Sequence, residues 1–191
     1  MTYLLDLLQG IGIAAAAGAS PFLPLAVAAL AGLVSVGANY EGTSFSVLQS
    51  PVVLALSVVL AVVAFVLRRR FENLAGERVM LALGMVFGAV VTAATIADNS
   101  STWWPGLIAG ALAALVTGLG VQSLLRRTRA RLDSDGQTTL AVGATLGALV
   151  VAILAVVLPP LGLIAVIIGI WLYVGGRRRE SSKHAGLRVL R

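Results

Sequence analysis

The hydrophobic positions of this chain form long runs that short polar segments interrupt. Several runs hold some 17–22 residues without a charge. As helices, runs of this length cross a hydrocarbon core of about 30 Å. The pattern predicts an all-α integral membrane protein with six transmembrane helices, at about 22–38, 51–67, 79–97, 104–125, 138–158 and 160–176.

The N-terminal apolar segment, residues 3–38, is too long for one span and poorly divided for two. We predict a helix break in it, because Pro21 and Pro24 lack the N–H that a helix needs and bias the residues before them, among them Ser20, away from helix. Gly18 adds backbone freedom at the same place. Irregular backbone at membrane depth must be satisfied by protein or by a water-filled cavity. The candidate helix break is therefore also a candidate solute pathway.

Residues 3–18, which precede the break, fit three arrangements. They form an interfacial helix, a re-entrant half-helix that dips in and returns, or a seventh full span. Asp6 and Gln9 are unfavourable against lipid, which favours the first two arrangements over the third. Both residues belong to the candidate pathway.

The composition excludes a soluble domain and most enzyme chemistry. Of 191 residues, 59% are hydrophobic and 12% are charged, whereas soluble domains carry roughly 25% charged residues. The chain has no cysteine, and its single histidine, His184, lies in the polar C-terminal segment. We therefore expect no enzyme activity, no catalytic residue, no metal and no cofactor.

The fourteen Lys and Arg residues fall in three short stretches, within 68–78, 126–131 and 177–191. The loops between the paired helices, at 39–50, 98–102 and 159–160, contain none. Short basic loops stay cytoplasmic, so we predict a multi-pass protein of the bacterial cytoplasmic (inner) membrane with a cytoplasmic C-terminus. Residues 1–179 form one transmembrane domain, and 180–191 form a polar cytoplasmic tail.

The net charge of +6 does not indicate nucleic-acid binding, because the basic residues follow this topology. We expect them to contact anionic lipid headgroups on the cytoplasmic side.

Small residues recur at helical spacing within the predicted spans. They form three pairs of glycines four residues apart, a spacing that lets helix backbones approach closely. The pairs form an interface with a second copy or a membrane partner, or they pack within one bundle. They are Gly84 with Gly88, Gly106 with Gly110, and Gly143 with Gly147.

Polar residues inside the predicted spans are few. Asp98 ends a span and is either an outer helix terminus or the mouth of a polar pathway. Seven hydroxyl and amide side chains either add to such a pathway or form hydrogen bonds within and between helices. They are Thr92, Thr95, Thr117, Gln122, Thr138, Thr139 and Thr145.

The segments Gly18–Leu30 and Ser50–Leu56 resemble a bacterial membrane-protein family catalogued as domain of unknown function 4126. The shared features are a glycine-led break followed by Leu-Pro-Leu, and a helix opened by Ser-Pro. The sequence departs from the family at Phe65–Arg70, where the family tends to have acidic residues and lysine. The resemblance implies a compact multi-span fold and supplies no activity.

Two functions follow from these observations. The first is a transporter- or channel-like protein for a lipid or small amphipathic solute, which predicts a hydrated cavity at 18–24 and a functional effect of losing Asp6. The second is a non-transporting structural or accessory subunit. It predicts dry packing of small residues at the break and an exposed apolar interface elsewhere.

Overall fold

A computed structural model describes residues 2–67, 73–97, 99–100, 102–129 and 131–185, with backbone alone at 2, 74, 134 and 176–185. This part of the chain contains seven α-helices, one short 3-10 helix at Ser46–Gln49, and no strand. The α-helices are α1 (Thr2–Ala19), α2 (Phe22–Leu33), α3 (Pro51–Val66), α4 (Leu74–Ala97), α5 (Trp104–Arg129), α6 (Ser134–Val157) and α7 (Leu161–Ala185).

The predicted all-α class is confirmed, and the helix starts have local causes. Ser50 Oγ accepts the Val52 N–H at 3.2 Å, with Pro51 as the first helical residue of α3. Asp133 Oδ1 accepts the Gly136 N–H at 2.9 Å at the start of α6. Both are side-chain caps that satisfy N–H groups left over at a helix start.

Three of these helices, α4, α5 and α6, are long and apolar enough to cross a membrane. The predicted span over 22–38 is wrong, because α2 ends at Leu33. Its 12 residues extend only about 18 Å, well short of a hydrocarbon core of about 30 Å. The chain then turns through Ser35 and Gly37, whose φ angles of 52° and 74° are incompatible with continued helix.

Helix α1 lies at the centre of the bundle, in contact with α4, α5, α6 and α7. The side chains from Ile13 to Ala17 are at most 3% exposed. A helix enclosed by four others does not lie on a membrane surface, so the interfacial arrangement of residues 3–18 is wrong.

Helices α1 and α2 form a hairpin that enters and leaves at the same end of the bundle. Near the start of α1, Asp6 accepts a hydrogen bond from Asn99, just beyond the end of α4. Near its end, Gly18 lies against Gly84, about halfway along α4. The chain then turns, and Gly37, beyond α2, lies beside Gln9 again.

We call the end of the bundle with Asp6 and Asn99 the far end. The opposite end, where α5 stops and α6 starts among Arg126, Arg127, Arg129 and Arg131, is the basic end. Residues 20–23 are the hairpin tip. Helix α3 leads from the far end back to the basic end and contacts mainly α2.

Candidate functional site

The hairpin tip is a short interruption between two helices. The Ser20 N–H closes the last turn of α1 on Ala16 O at 3.0 Å. Pro21 has no N–H to continue that ladder, and α2 begins at the next residue. Pro24 is buried within the first turn of α2, where a missing N–H costs little. The helix break is thus narrower than the predicted 18–24.

Gly18, the first residue of the predicted break, is packed against α5 without space for a side chain. A Cβ there would lie 2.6 Å from Thr117 Oγ1 and 2.8 Å from Gly118 N. The Thr117 hydroxyl lies 2.9 Å from Ala15 O and 2.7 Å from Ala113 O, and so links α1 to α5. Gly18 is thus closely packed against α5.

The other side of the hairpin tip faces a cavity of about 170 Å³ in the basic half of the bundle. Its walls come from the last turns of α3 and α5, the first turns of α4, and the middle of α6. Ser20 and Pro21 of the predicted pathway line it, together with Ala19, Phe22 and Leu23. We call this space the tip cavity.

Four polar side chains line the tip cavity below the hairpin. Glu77, whose side chain is 13% exposed, pairs with Arg126 across α4 and α5, at 3.1 Å between Oε2 and Nε. Gln122 Nε2 donates to Glu77 O at 3.0 Å, and Thr145 Oγ1 donates to Ala141 O at 2.9 Å. The fourth is Arg129. The cavity wall therefore contains a carboxylate, an amide, a hydroxyl and a guanidinium.

A second space, the apolar groove, adjoins the tip cavity. It has a volume of about 770 Å³ and is bounded by α5, α6 and α7, with Ala15, Ala16 and Ala19 of α1 between them. Three residues line both spaces, namely Ala19, Leu125 and Ala144. The polar cavity and the apolar groove are thus neighbours.

The three glycine pairs have different surroundings. A Cβ at Gly84 would meet Ala17 O at 2.5 Å, and one at Gly106 would meet Ala93 Cα at 2.9 Å. Gly88 and Gly110 likewise lie at contacts with neighbouring helices. Gly143 and Gly147 instead line the apolar groove, with nothing within 4 Å of either Cβ position.

Two further pathway candidates, Asp6 and Gln9, lie away from the tip cavity. Asp6 binds Asn99 at the far end, at 2.9 Å between Oδ2 and Nδ2. Gln9 is 3% exposed, and its Nε2 has no hydrogen-bond partner in the described part of the chain. Asp98 lies outside the described residues. The structure therefore does not bring Asp6 or Gln9 to the hairpin tip.

Sequence reasoning included Gln122 and Thr145 among the pathway hydroxyls and amides but missed Glu77 and Arg129. Arg129 lies in a basic stretch that was interpreted as a topology signal and lipid contact, and Glu77 was expected only to balance nearby arginines. The available signal was their position, since the start of α4 and the end of α5 meet when the two helices form an antiparallel pair.

An apolar all-helical bundle, with a buried hairpin and three helices of membrane-spanning length, is a protein of the polytopic membrane type. The model of a family described as "Domain of unknown function (DUF4126)" matches residues 7–179, and the chain belongs to this family. No curated protein and no solved structure matches it.

Proposed function

We propose that this chain is a non-enzymatic transporter or channel of the cytoplasmic membrane for a lipid or other amphipathic solute. In this proposal α3 to α7 cross the bilayer, and the α1–α2 hairpin re-enters from outside. The basic end is then cytoplasmic, in agreement with the rule that Lys- and Arg-rich short loops stay inside. The C-terminal segment is cytoplasmic as well.

The tip cavity is the observation that carries the proposal. Interrupted helices within a membrane bundle are favoured where they line a cavity, and transporters commonly place such breaks at the substrate site. Here the cavity lies between the hairpin tip and residues of the basic end, Glu77 and Arg129 among them. Between the tip and the far end, the side chains from Ile13 to Ala17 are at most 3% exposed, and Ala15 and Ala16 border the apolar groove. This arrangement corresponds to a pathway open to the cytoplasm and closed to the outside, and transport requires the hairpin to shift.

A reconstitution experiment tests transport directly. The purified chain is incorporated into vesicles with lipids that carry a fluorescent nitrobenzoxadiazole group, one with a neutral and one with an anionic headgroup. External dithionite destroys fluorescence in the outer leaflet, so movement across the bilayer exposes the protected inner pool. We expect faster loss with the protein, and inhibition when Ser20→Cys is modified by a bulky thiol reagent. No acceleration for either lipid contradicts lipid movement.

Ser57→Cys is the matched control in the same assay. Ser57 is 1% exposed in α3, so its cysteine is closed to the reagent and its transport rate should not change on treatment. Equal inhibition of both variants would show that the reagent acts elsewhere.

A second candidate, an accessory subunit, has one specific observation in its favour. The Gly143–Gly147 face of α6 is open, and small-residue faces favour helix association in membranes. In this case the chain forms a stable homodimer or a complex through α6. Gly147→Leu should then change the apparent size of the protein in detergent. In the dithionite assay, neither the wild type nor the variant should accelerate the loss of fluorescence.

A further inference from the structure

We propose that the tip cavity and the apolar groove form one binding site for a membrane lipid with an anionic phosphate headgroup. The acyl chain lies along α6 in the groove, and the headgroup lies in the tip cavity. This inference rests on the proposed function and specifies its substrate.

The volume of the groove suits hydrocarbon. An apolar cavity of about 150 Å³ accommodates one benzene molecule, so 770 Å³ has room for several such units. The groove follows α6 from Gly136 to Val151, a length of about 22 Å as helix. One leaflet contributes roughly half of a 30 Å core, so a lipid chain is accommodated along its length.

Small residues of α6 line the groove, among them Ala144 and Ala148. The glycines at 143 and 147 keep the groove open, because each lacks the side chain that would occupy it.

The site is apolar at one end and polar at the other, as a lipid is. The upper groove is lined by apolar residues of α6 and α7, such as Val151 and Ile168. Where it meets the tip cavity at Leu125 and Ala144, the walls acquire Gln122 and Arg129. A guanidinium binds phosphate oxygens in a bidentate manner, and Gln122 adds amide hydrogen-bonding capacity.

The charge at this end selects an anionic headgroup. Glu77 pairs with Arg126 at 3.1 Å, and Arg129 also lines the cavity. Arg127 and Arg131 lie at the same end of the bundle, and Arg127 donates to Ser123 O and Ser123 Oγ, both at 2.8 Å. The cytoplasmic leaflet, which this end faces in the proposed topology, is rich in anionic lipids.

Photocrosslinking tests the site without requiring transport. The protein is reconstituted in phosphatidylcholine vesicles that contain a small fraction of phosphatidylglycerol with a diazirine at the end of one acyl chain. After illumination the modified peptides are mapped by mass spectrometry. We expect modification along α6 and α7, in the stretch lined by Gly147, Val151 and Ile168.

Gly147→Leu fills the groove and should reduce this modification by at least about tenfold, equivalent to about two methylene groups expelled from the site. Gly175→Leu is the matched control, since a Cβ at Gly175 also meets open space and Gly175 does not line the groove. In a competition experiment, an excess of unlabelled lipid is added to displace the diazirine lipid. With Arg129→Gln, unlabelled phosphatidylglycerol should compete less well, and competition by phosphatidylcholine should be unchanged. Uniform modification of all lipid-facing helices overturns the inference.

The outcomes separate this inference from the proposed function. If Gly147→Leu abolishes modification and the vesicles show no lipid movement, the site exists and transport is wrong. If lipid movement is fast and Gly147→Leu changes neither rate nor modification, transport uses another route and the groove is not the site. Crosslinks between two protein copies through α6 would show that a second chain, and not a lipid, occupies the groove. This result would contradict the inference.

Discussion

Helices α5 and α6 carry the same sequence motif, two glycines four residues apart, and use it in opposite ways. In α5, a Cβ at Gly110 would overlap Gly88 O and lie 2.5 Å from Thr92 Oγ1. In α6, Cβ atoms at Gly143 and Gly147 meet nothing within 4 Å. The first pair brings backbones together, and the second leaves a groove open. The motif alone therefore identifies a small-residue face without saying what fills it.

Alanine substitutions at these glycines should have opposite signs, and this is the largest effect that we expect on stability. Gly110→Ala forces a methyl group against the backbone of α4 and should lower the free energy of unfolding by about 1–3 kcal/mol. Gly147→Ala enters open space and should raise it by up to about 1 kcal/mol through helix propensity. Unfolding by denaturing detergent, followed by circular dichroism, measures both. Equal effects at both sites would contradict the difference between the two helices.

Thr117→Val tests how the closed side of the hairpin is held. The variant removes the hydroxyl that reaches Ala15 O at 2.9 Å and keeps the shape of the side chain. Hydrogen bonds between membrane helices contribute about 0.6 kcal/mol on average, so we expect a loss of about 0.5–1.5 kcal/mol in the same unfolding experiment.

Thr145→Val provides the comparison for this experiment. In the part of the chain that the structure describes, the Thr145 hydroxyl bonds within α6, to Ala141 O, and its removal should cost less. A larger loss at Thr145 than at Thr117 would show that the α1–α5 link is not what stabilises the hairpin.

Asp6→Asn should have the smallest effect. Asp6 lies at the far end, partly exposed and bonded to Asn99, away from the tip cavity. Surface substitutions of this kind usually change stability by at most about 0.5 kcal/mol. We also expect an unchanged rate in the dithionite assay. A strong loss of lipid movement would place Asp6 on the pathway, as the sequence alone suggested.

The hydrophobic pattern of the sequence predicted the long apolar helices. It failed to predict a helix end that tertiary contacts determine. The segments at 51–67, 104–125 and 138–158 become α3, α5 and α6 with small shifts at their ends. The segment 22–38 is as apolar as the others, yet its helix ends at Leu33. The turn at Ser35 and Gly37 packs against Val156 of α6 and Gln9 of α1, which no local pattern reveals.

The candidate site was predictable in part for the same reason. Pro21 marks the hairpin tip through its missing N–H, a local property that sequence reasoning detects. Glu77 and Arg129 lie far from it along the chain and reach the tip cavity only because α4 and α5 pair antiparallel. In the sequence, these charges are explained by the membrane topology alone. Only the fold shows that both side chains lie at the tip cavity.

Sided thiol labelling tests the central claim most directly, since the chain has no native cysteine. Ser20→Cys is compared with the buried Ser57→Cys, the exposed far-end Ser46→Cys and the exposed basic-end Arg131→Cys. A membrane-impermeant maleimide is added to intact cells and to inverted vesicles. We predict that Ser20→Cys reacts only in inverted vesicles, like Arg131→Cys, while Ser46→Cys reacts in cells and Ser57→Cys in neither. Reaction of Ser20→Cys from outside, or from neither side, would contradict a tip cavity open to the cytoplasm.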